Sequence, residues 1–292
     1  MQQEFLLINA SYNGNVERVR MLLADGRSDP LERDSEAIRY ASEHGNAEVV
    51  RMLLEDRRAD PAAVHNQAIQ MASKNGHAEV VRMLLDDPRT NPAARDNEAI
   101  RIASRYGHIE IVRMFLADGR ADPAARDDEA IRFASNNGHI AIVQMLLVDR
   151  RAKPAAWDSE AIRFASSLGH TAVVRMLLAD RRADPAAVNN QAIRMASKNG
   201  HTAVVRMLLD DPRVDPAADD KYAIQLASRD GHAEVVRMLL DDRRADPADV
   251  IRNASNDQVI RLLLQDERVR SALGANIPIE YRAIWSEIMQ SQ

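Results

Sequence analysis

A glycine followed by asparagine or histidine stands at Gly14, Gly45, Gly76, Gly107, Gly138, Gly169, Gly200 and Gly231, at a constant spacing of 31. Self-similarity at a fixed period of this size restricts the chain to a stack of like units, because so short a piece cannot bury an apolar face alone. Each unit reads roughly D-x-E-A-I-R-x-A-S-x-x-G-H-x-x-V-V-R-M-L-L-x-D-x-R-x-D-P-A-A. Eight of the twelve methionines fall in one column, from Met21 to Met238. Of 35 arginines, 23 fall in three columns, typified by Arg39, Arg51 and Arg58.

Each unit predicts two helices. Asp96, Asn97 and Glu98 suit a helix start through capping and the dipole. Ile100, Ile102 and Ala103 follow, and Gly107 stops the helix as a residue able to take positive φ. Ile109, Val112, Phe115 and Leu116 then form an apolar stripe along a second helix. Asp118, Gly119 and Arg120 end it, and Asp122-Pro123 opens a turn into the next unit. No segment alternates as a strand does. The expected fold is all-α: a solenoid of about nine stacked helix-turn-helix repeats with short loops.

Residues 1–33 read as an N-terminal capping repeat, 34–247 as seven repeats of full period, and 248–270 as a shortened repeat. Asn9 and Asn253 stand in the column otherwise filled by Tyr40, Met71, Ile102, Phe133, Phe164, Met195 and Leu226, as suits terminal units with one stacked neighbour. Residues 271–292 read as a C-terminal capping helix in which Tyr281, Ile284, Trp285 and Ile288 form one apolar face behind Pro278.

Composition narrows the function. The chain of 292 residues is 46% hydrophobic and carries 39 basic and 44 acidic side chains, a formal charge of −5. That balance argues against nucleic acid as a partner. There is no cysteine, which excludes disulfides, thiolate metal sites and a cysteine nucleophile. Every apolar run is cut by arginine or aspartate short of a membrane span, so no membrane partner is expected. Met-Gln-Gln-Glu-Phe lacks the basic segment of a secretory signal. A cytoplasmic monomer is expected, with the nucleus open as a location.

The sequence resembles the ankyrin repeat. Asn75-Gly76-His77-Ala78-Glu79-Val80-Val81-Arg82-Met83-Leu84-Leu85 and Ala59-Asp60 follow the family's G-H-x-E-V-V-x-L-L-L-x-x-G-A-D pattern, and the resemblance covers roughly residues 4–270. The period is 31 rather than the usual 33, and Glu-Ala-Ile-Arg or Gln-Ala-Ile-Gln replaces T-P-L-H. The family's hairpin finger should therefore be a shortened loop here. The resemblance implies a non-enzymatic scaffold for protein–protein interaction.

The repeated chemical groups read as scaffold. Six histidines (His77, His108, His139, His170, His201, His232) share one column, but adjacent helices pack about 8–10 Å apart and zinc ligands sit about 2 Å from one ion. Sets such as Ser104, His108 and Asp118 are copied along the chain, whereas a catalytic triad is unique. No catalytic residue, metal site or cofactor is assigned. The methionine column reads as core, paired one turn away with valines, as Val49 with Met52 and Val80 with Met83. The arginines pair with aspartates, as Arg58 with Asp56.

Recognition should reside where the units disagree. One variable column lies in the short loop: Arg33, Val64, Arg95, Arg126, Trp157, Val188 and Asp219. Two more precede the glycine, among them Glu43-His44, Arg105-Tyr106, Asn136-Asn137, Ser167-Leu168 and Lys198-Asn199. The resemblance implies that these columns line the concave face. The expected partner-binding residues are Arg95, Arg105, Tyr106, Arg126, Asn136, Asn137, Trp157, Ser167 and Leu168, aromatic and apolar anchors among arginines. Two other readings stand beside this one. Concave-face arginines could bind an anionic or phosphorylated small molecule, or the array could be structural or engineered and bind nothing specific.

Overall fold

The computed structural model of the chain describes residues 5–26, 28–274 and 277–290. Arg27 of the third arginine column and residues 1–4, 275–276 and 291–292 of the capping segments lie outside them. The chain divides into two compact halves, Met1–Lys153 and Pro154–Gln292.

Among the described residues of the first half, five helix pairs follow one another. The first helices are α1 (Leu6–Tyr12), α3 (Glu32–Glu43), α5 (Ala63–Asn75), α7 (Ala94–Tyr106) and α9 (Ala125–Asn136). The second helices are α2 (Val16–Asp25), α4 (Ala47–Asp56), α6 (Ala78–Asp86), α8 (Ile109–Asp118) and α10 (Ile140–Asp149). First helices pack on first, second on second, and each first on its own second. The second half repeats the plan with α11 (Ala156–Ser167), α12 (Thr171–Asp180), α13 (Ala187–Lys198), α14 (Thr202–Leu209), α15 (Ala218–Arg229) and α16 (Ala233–Asp242). A 3₁₀ turn at Val250–Asn253, α17 (Asp257–Gln265), α18 (Glu267–Leu273) and α19 (Arg282–Gln290) close it. α19 buries Ile284 and Ile288, and Tyr281 donates its hydroxyl to the Ile251 carbonyl at 3.2 Å. Among the described residues there is no strand. The fold is an all-α solenoid of stacked helix pairs.

Only 4% of the residues are aromatic, and alanine explains why. Ala99, Ile100 and Ala103 of α7 are fully buried against Ile111, Val112 and Phe115 of α8. Small side chains let the helices approach closely, so the core is filled by aliphatic groups at close packing. The methionine column departs from its expected place. Met21 is exposed and Met52 to Met238 are half-buried on the outer side of the second helices, while valines and leucines fill the core.

The short loop also differs from expectation. Arg95, Asp96 and Asn97 do not cap α7; all three take left-handed backbone (φ 52°, 55° and 61°), and the right-handed helix begins at Glu98. The same three-residue turn recurs at Arg33–Ser35, Val64–Asn66, Arg126–Asp128, Trp157–Ser159 and Val188–Asn190. Left-handed backbone costs about 1–2 kcal/mol per residue outside glycine, and Asn and Asp tolerate it best. Hydrogen bonds to the next repeat offset that cost. Asn97 Oδ1 accepts the Asp122 N–H at 2.7 Å, Asn66 Oδ1 that of Asn91 at 2.6 Å, and Ser35 Oγ that of Asp60 at 2.8 Å. In the second half Ser159 and Asn190 do the same for Asp184 and Asp215.

Asp128 performs this task with a carboxylate, accepting from the Lys153 N–H while almost wholly buried. Burial pushes its carboxyl above the ordinary aspartate value, against the pull of the Lys153 N–H. A raised folded pKa means that the protonated form stabilises at acid pH, and that contribution is lost as pH rises through the folded pKa. At neutral pH the buried charge is therefore a liability. Asp128→Asn, which keeps the acceptor, is expected to gain about 1 kcal/mol at pH 7 and to lose most of that gain near pH 4. Urea unfolding at both values checks this; an equal gain at both would refute the ionisation argument.

Candidate functional site

The repeated columns are occupied with holding neighbours together. Each Gly-His histidine stands just before a second helix, and those whose preceding repeat lies in the same half lay their rings against it. His139 Nε2 donates to the Arg105 carbonyl at 2.9 Å, and His77, His108, His201 and His232 reach the equivalent carbonyls at 2.8–3.0 Å. A Cβ on Gly107 would stand 2.7 Å from the His139 ring, so glycine is required there for space as well as for its φ of +82°.

The Asp-x-Arg pairs tie successive second helices. Arg120 grips Asp118 and donates to the carbonyls of Leu85 (2.7 Å) and Thr90 (3.1 Å), capping the end of α6. The hydrogen-bonded guanidinium holds the Asp118 carboxyl below its usual range, and the same holds for Asp56, Asp87, Asp149 and Asp211 with their arginines. Arginines of the Arg39 column turn back on the left-handed turns. Arg39 donates to the carbonyls of Arg33 and Asp34 and to Gln67 of the next repeat. Arg163 does so to Trp157, Asp158 and Gln191, and Gln70 takes over this role on the His65 carbonyl. These guanidiniums are spent on backbone carbonyls and neighbouring repeats rather than lined up as an anion track.

The variable columns occupy the exposed side of the first helices, in two bands. One band is the first residue of each left-handed turn, and the other is the helix end before the glycine, roughly 13 Å further along. In the first half Arg95 and Arg126 lie in the turn band; both are exposed, and Arg95 reaches Glu98 at 3.6 Å. Arg105, Tyr106, Asn136 and Asn137 lie in the second band. Asn137 donates to the Arg105 carbonyl at 2.9 Å. The Arg105 guanidinium sits 4.7 Å over the Phe133 ring, and Tyr106 stacks along His108. In the second half Trp157 is in the turn band, 61% exposed, with its carbonyl fixed by Arg163 at 2.8 Å. Ser167 and Leu168 are at the other end of α11. Leu168 is half-exposed, and the Ser167 carbonyl accepts from Asn199 and His201. Arg105 and Asn137 are thus brought together, whereas Trp157 and Leu168 stand at opposite ends of one helix.

Two features go beyond the expected residues. Between the bands, the column of Tyr40, Met71, Ile102 and Phe133 in the first half, and Phe164 and Met195 in the second, remains partly exposed. It supplies an apolar centre that looks in the sequence like core. Near the start of the chain, Tyr12 meets Tyr40 edge-on at 5.8 Å and His44 at 4.2 Å, beside Phe5, over which Arg33 sits at 4.2 Å. Glu36, hydrogen-bonded to the Tyr40 hydroxyl, pushes that group up. Tyr12-Asn13 precede Gly14 as Glu43-His44 precede Gly45, so extending the variable columns by one repeat would have found the cluster.

Among the described residues no helix is long and apolar enough to cross a membrane, and no group of three acidic or histidine side chains could hold a metal ion. The family model for ankyrin repeats in three copies matches residues 59–127, 101–189, 131–220 and 162–251, and the single ankyrin repeat model matches residues 37–66. No curated protein matches the chain.

Proposed function

The chain belongs to the ankyrin repeat family, and we propose that it holds a partner protein on the exposed side of its first helices. Ankyrin repeats are generally protein–protein interaction modules, and ankyrin repeat proteins are typically non-enzymatic scaffolds. The reading rests on one observation: scaffold columns copy from repeat to repeat, while exposed first-helix positions differ and carry Tyr, Trp and Arg. Those residue types dominate interface energetics. The left-handed turns hold residues such as Trp157 on a fixed backbone, which lowers the ordering cost of binding.

Within the first half, Arg105 and Tyr106, with Phe133 beneath the guanidinium, form the core of the contact; Arg95, Arg126, Asn136 and Asn137 contribute polar bonds around it. Within the second half, Trp157 and Leu168 are the anchors and Ser167 is rim. The site is assigned to the cytoplasm or nucleus, without cofactor. Affinity purification followed by mass spectrometry identifies the partner. Its affinity is then measured for Tyr106→Ala, Trp157→Ala and Leu168→Ala beside Glu43→Ala and Lys198→Ala. A loss of about 30-fold or more is expected for at least one anchor. If all three bind as the parent while Glu43 and Lys198 matter, the binding surface lies elsewhere on the array.

A further inference from the structure

We propose that the outward side of α10, with α8 beside it, is a self-association surface on which two copies of this chain meet about a two-fold axis. The second helices carry outward charges in three columns, typified by Glu48, Arg51 and Glu55 on α4. Seven of the eight helices from α2 to α16 keep arginine in the middle column. α10 alone keeps no charge in any of the three: Ala141, Gln144 and Val148 stand there. Large exposed apolar side chains on these helices are Met21, Ile109, Ile140 and Val148, with Ile109 at the start of α8 and Ile140 and Val148 near the two ends of α10. Val148 is 74% and Ile140 48% exposed. Val148 and Gln144, with Leu116, Ala117 and Met145, line a shallow, mostly apolar cleft edged by Arg113 and Asp149.

The pattern fits a second copy rather than an unlike partner. Ile140, Gln144 and Val148 follow one another at i, i+4 and i+8, so they share one side of the helix. Two α10 helices crossing antiparallel at Gln144 place Ile140 against the other copy's Val148, twice over. A residue on the two-fold axis faces itself. An arginine there would repel its own image, whereas a glutamine amide donates and accepts at once and pairs with itself. The one departure from the arginine column therefore stands at the centre of the uncharged stripe. Flanking charges are already compensated, Arg113 by Glu110 at 3.5 Å and Asp149 by Arg151 at 2.7 Å. A chain of net charge −5 can thus meet its like here without repulsion. Two helices of about 15 Å length make a small contact, so association should be weak and concentration-dependent, in place of the monomer the sequence suggested.

Sedimentation equilibrium of the full chain from about 5 to about 500 µM tests this. The mass should rise from 32.6 kDa toward twice that value. Gln144→Arg should weaken association at least tenfold, and Gln144→Arg with Val148→Glu should abolish it. Arginine and glutamate occupy these columns in other repeats, so both variants retain the fold, as circular dichroism can verify. Trp157→Ala should associate like the parent, which separates this surface from the one proposed for the partner protein. A parent that keeps the mass of a single chain throughout, or a Gln144→Arg variant that associates as the parent does, overturns the proposal. A protein found docked on α10 of a monomeric chain would overturn it too.

Discussion

Gly107→Val should destabilise the first half by about 4 kcal/mol, more than twice the effect of Gly119→Val. Both glycines take left-handed backbone, with φ of +82° and +77°, so each substitution carries the same strain of about 1–2 kcal/mol. The surroundings differ. A Cβ on Gly119 meets nothing within 4 Å, whereas one on Gly107 stands 2.7 Å from the His139 ring. Relief requires that ring to swing away, which breaks its 2.9 Å bond to the Arg105 carbonyl and opens the contact between α7 and the start of α10. A lost hydrogen bond of about 1 kcal/mol and the packing behind it make up the difference. Because stacked repeats are stabilised by their neighbours, the variant should also unfold over a broader urea range. Equal midpoints for the two variants would show that the ring yields at no cost.

Arg101→Ala is the second large effect, expected to cost about 3 kcal/mol. The Arg101 side chain is only 7% exposed. It donates to the carbonyls of Asp96 at 2.9 Å and Arg95 at 3.2 Å, and to the Glu129 carboxylate of the next repeat. Truncation leaves all three acceptors without that donor, in a turn whose left-handed residues already carry strain. Arg101→Gln should be milder, at about 1–2 kcal/mol, since Gln70 performs the same closure on the His65 carbonyl at 2.7 Å. Chemical denaturation of the two variants beside the parent gives the ranking. A cost below about 1 kcal/mol for the alanine variant would mean that the turn holds its shape without the arginine.

The architecture was legible because it is written periodically. Gly76-His77, the Val-Val-Arg-Met-Leu-Leu run and the Asp-x-Arg pairs announce helix ends, apolar faces and helix-terminal charges in every repeat. The left-handed turn was hidden because Asp96-Asn97-Glu98 has the composition of a right-handed helix start. What decides between the two is the Asp122 N–H that Asn97 accepts, 25 residues away, and no local pattern reveals it. The methionine column failed for a related reason. Periodicity says that Val49 and Met52 share a side of α4, but not that the valine fills the interface while the methionine lies half-buried at its edge. At the candidate site, variation between repeats located the exposed positions. It missed Phe133 and Tyr40, which belong to a regular column and yet keep part of their rings in solvent.

Among the described residues, each side-chain stitch between repeats within either half ends on the adjacent repeat, whether 25 residues away as for Asn97, 28 for Arg163 or 34 for His139. None skips a repeat. One whole repeat inserted or deleted within either half therefore leaves few loose ends, because most severed bonds meet a like partner on the new neighbour. Such an array can change length by duplication or loss of whole blocks without passing through an unfoldable intermediate. The near-identity of 68–87 and 192–211 is the trace expected of that history. The extent of surface on offer to a partner is then a heritable variable, separate from the chemistry of the residues displayed on it.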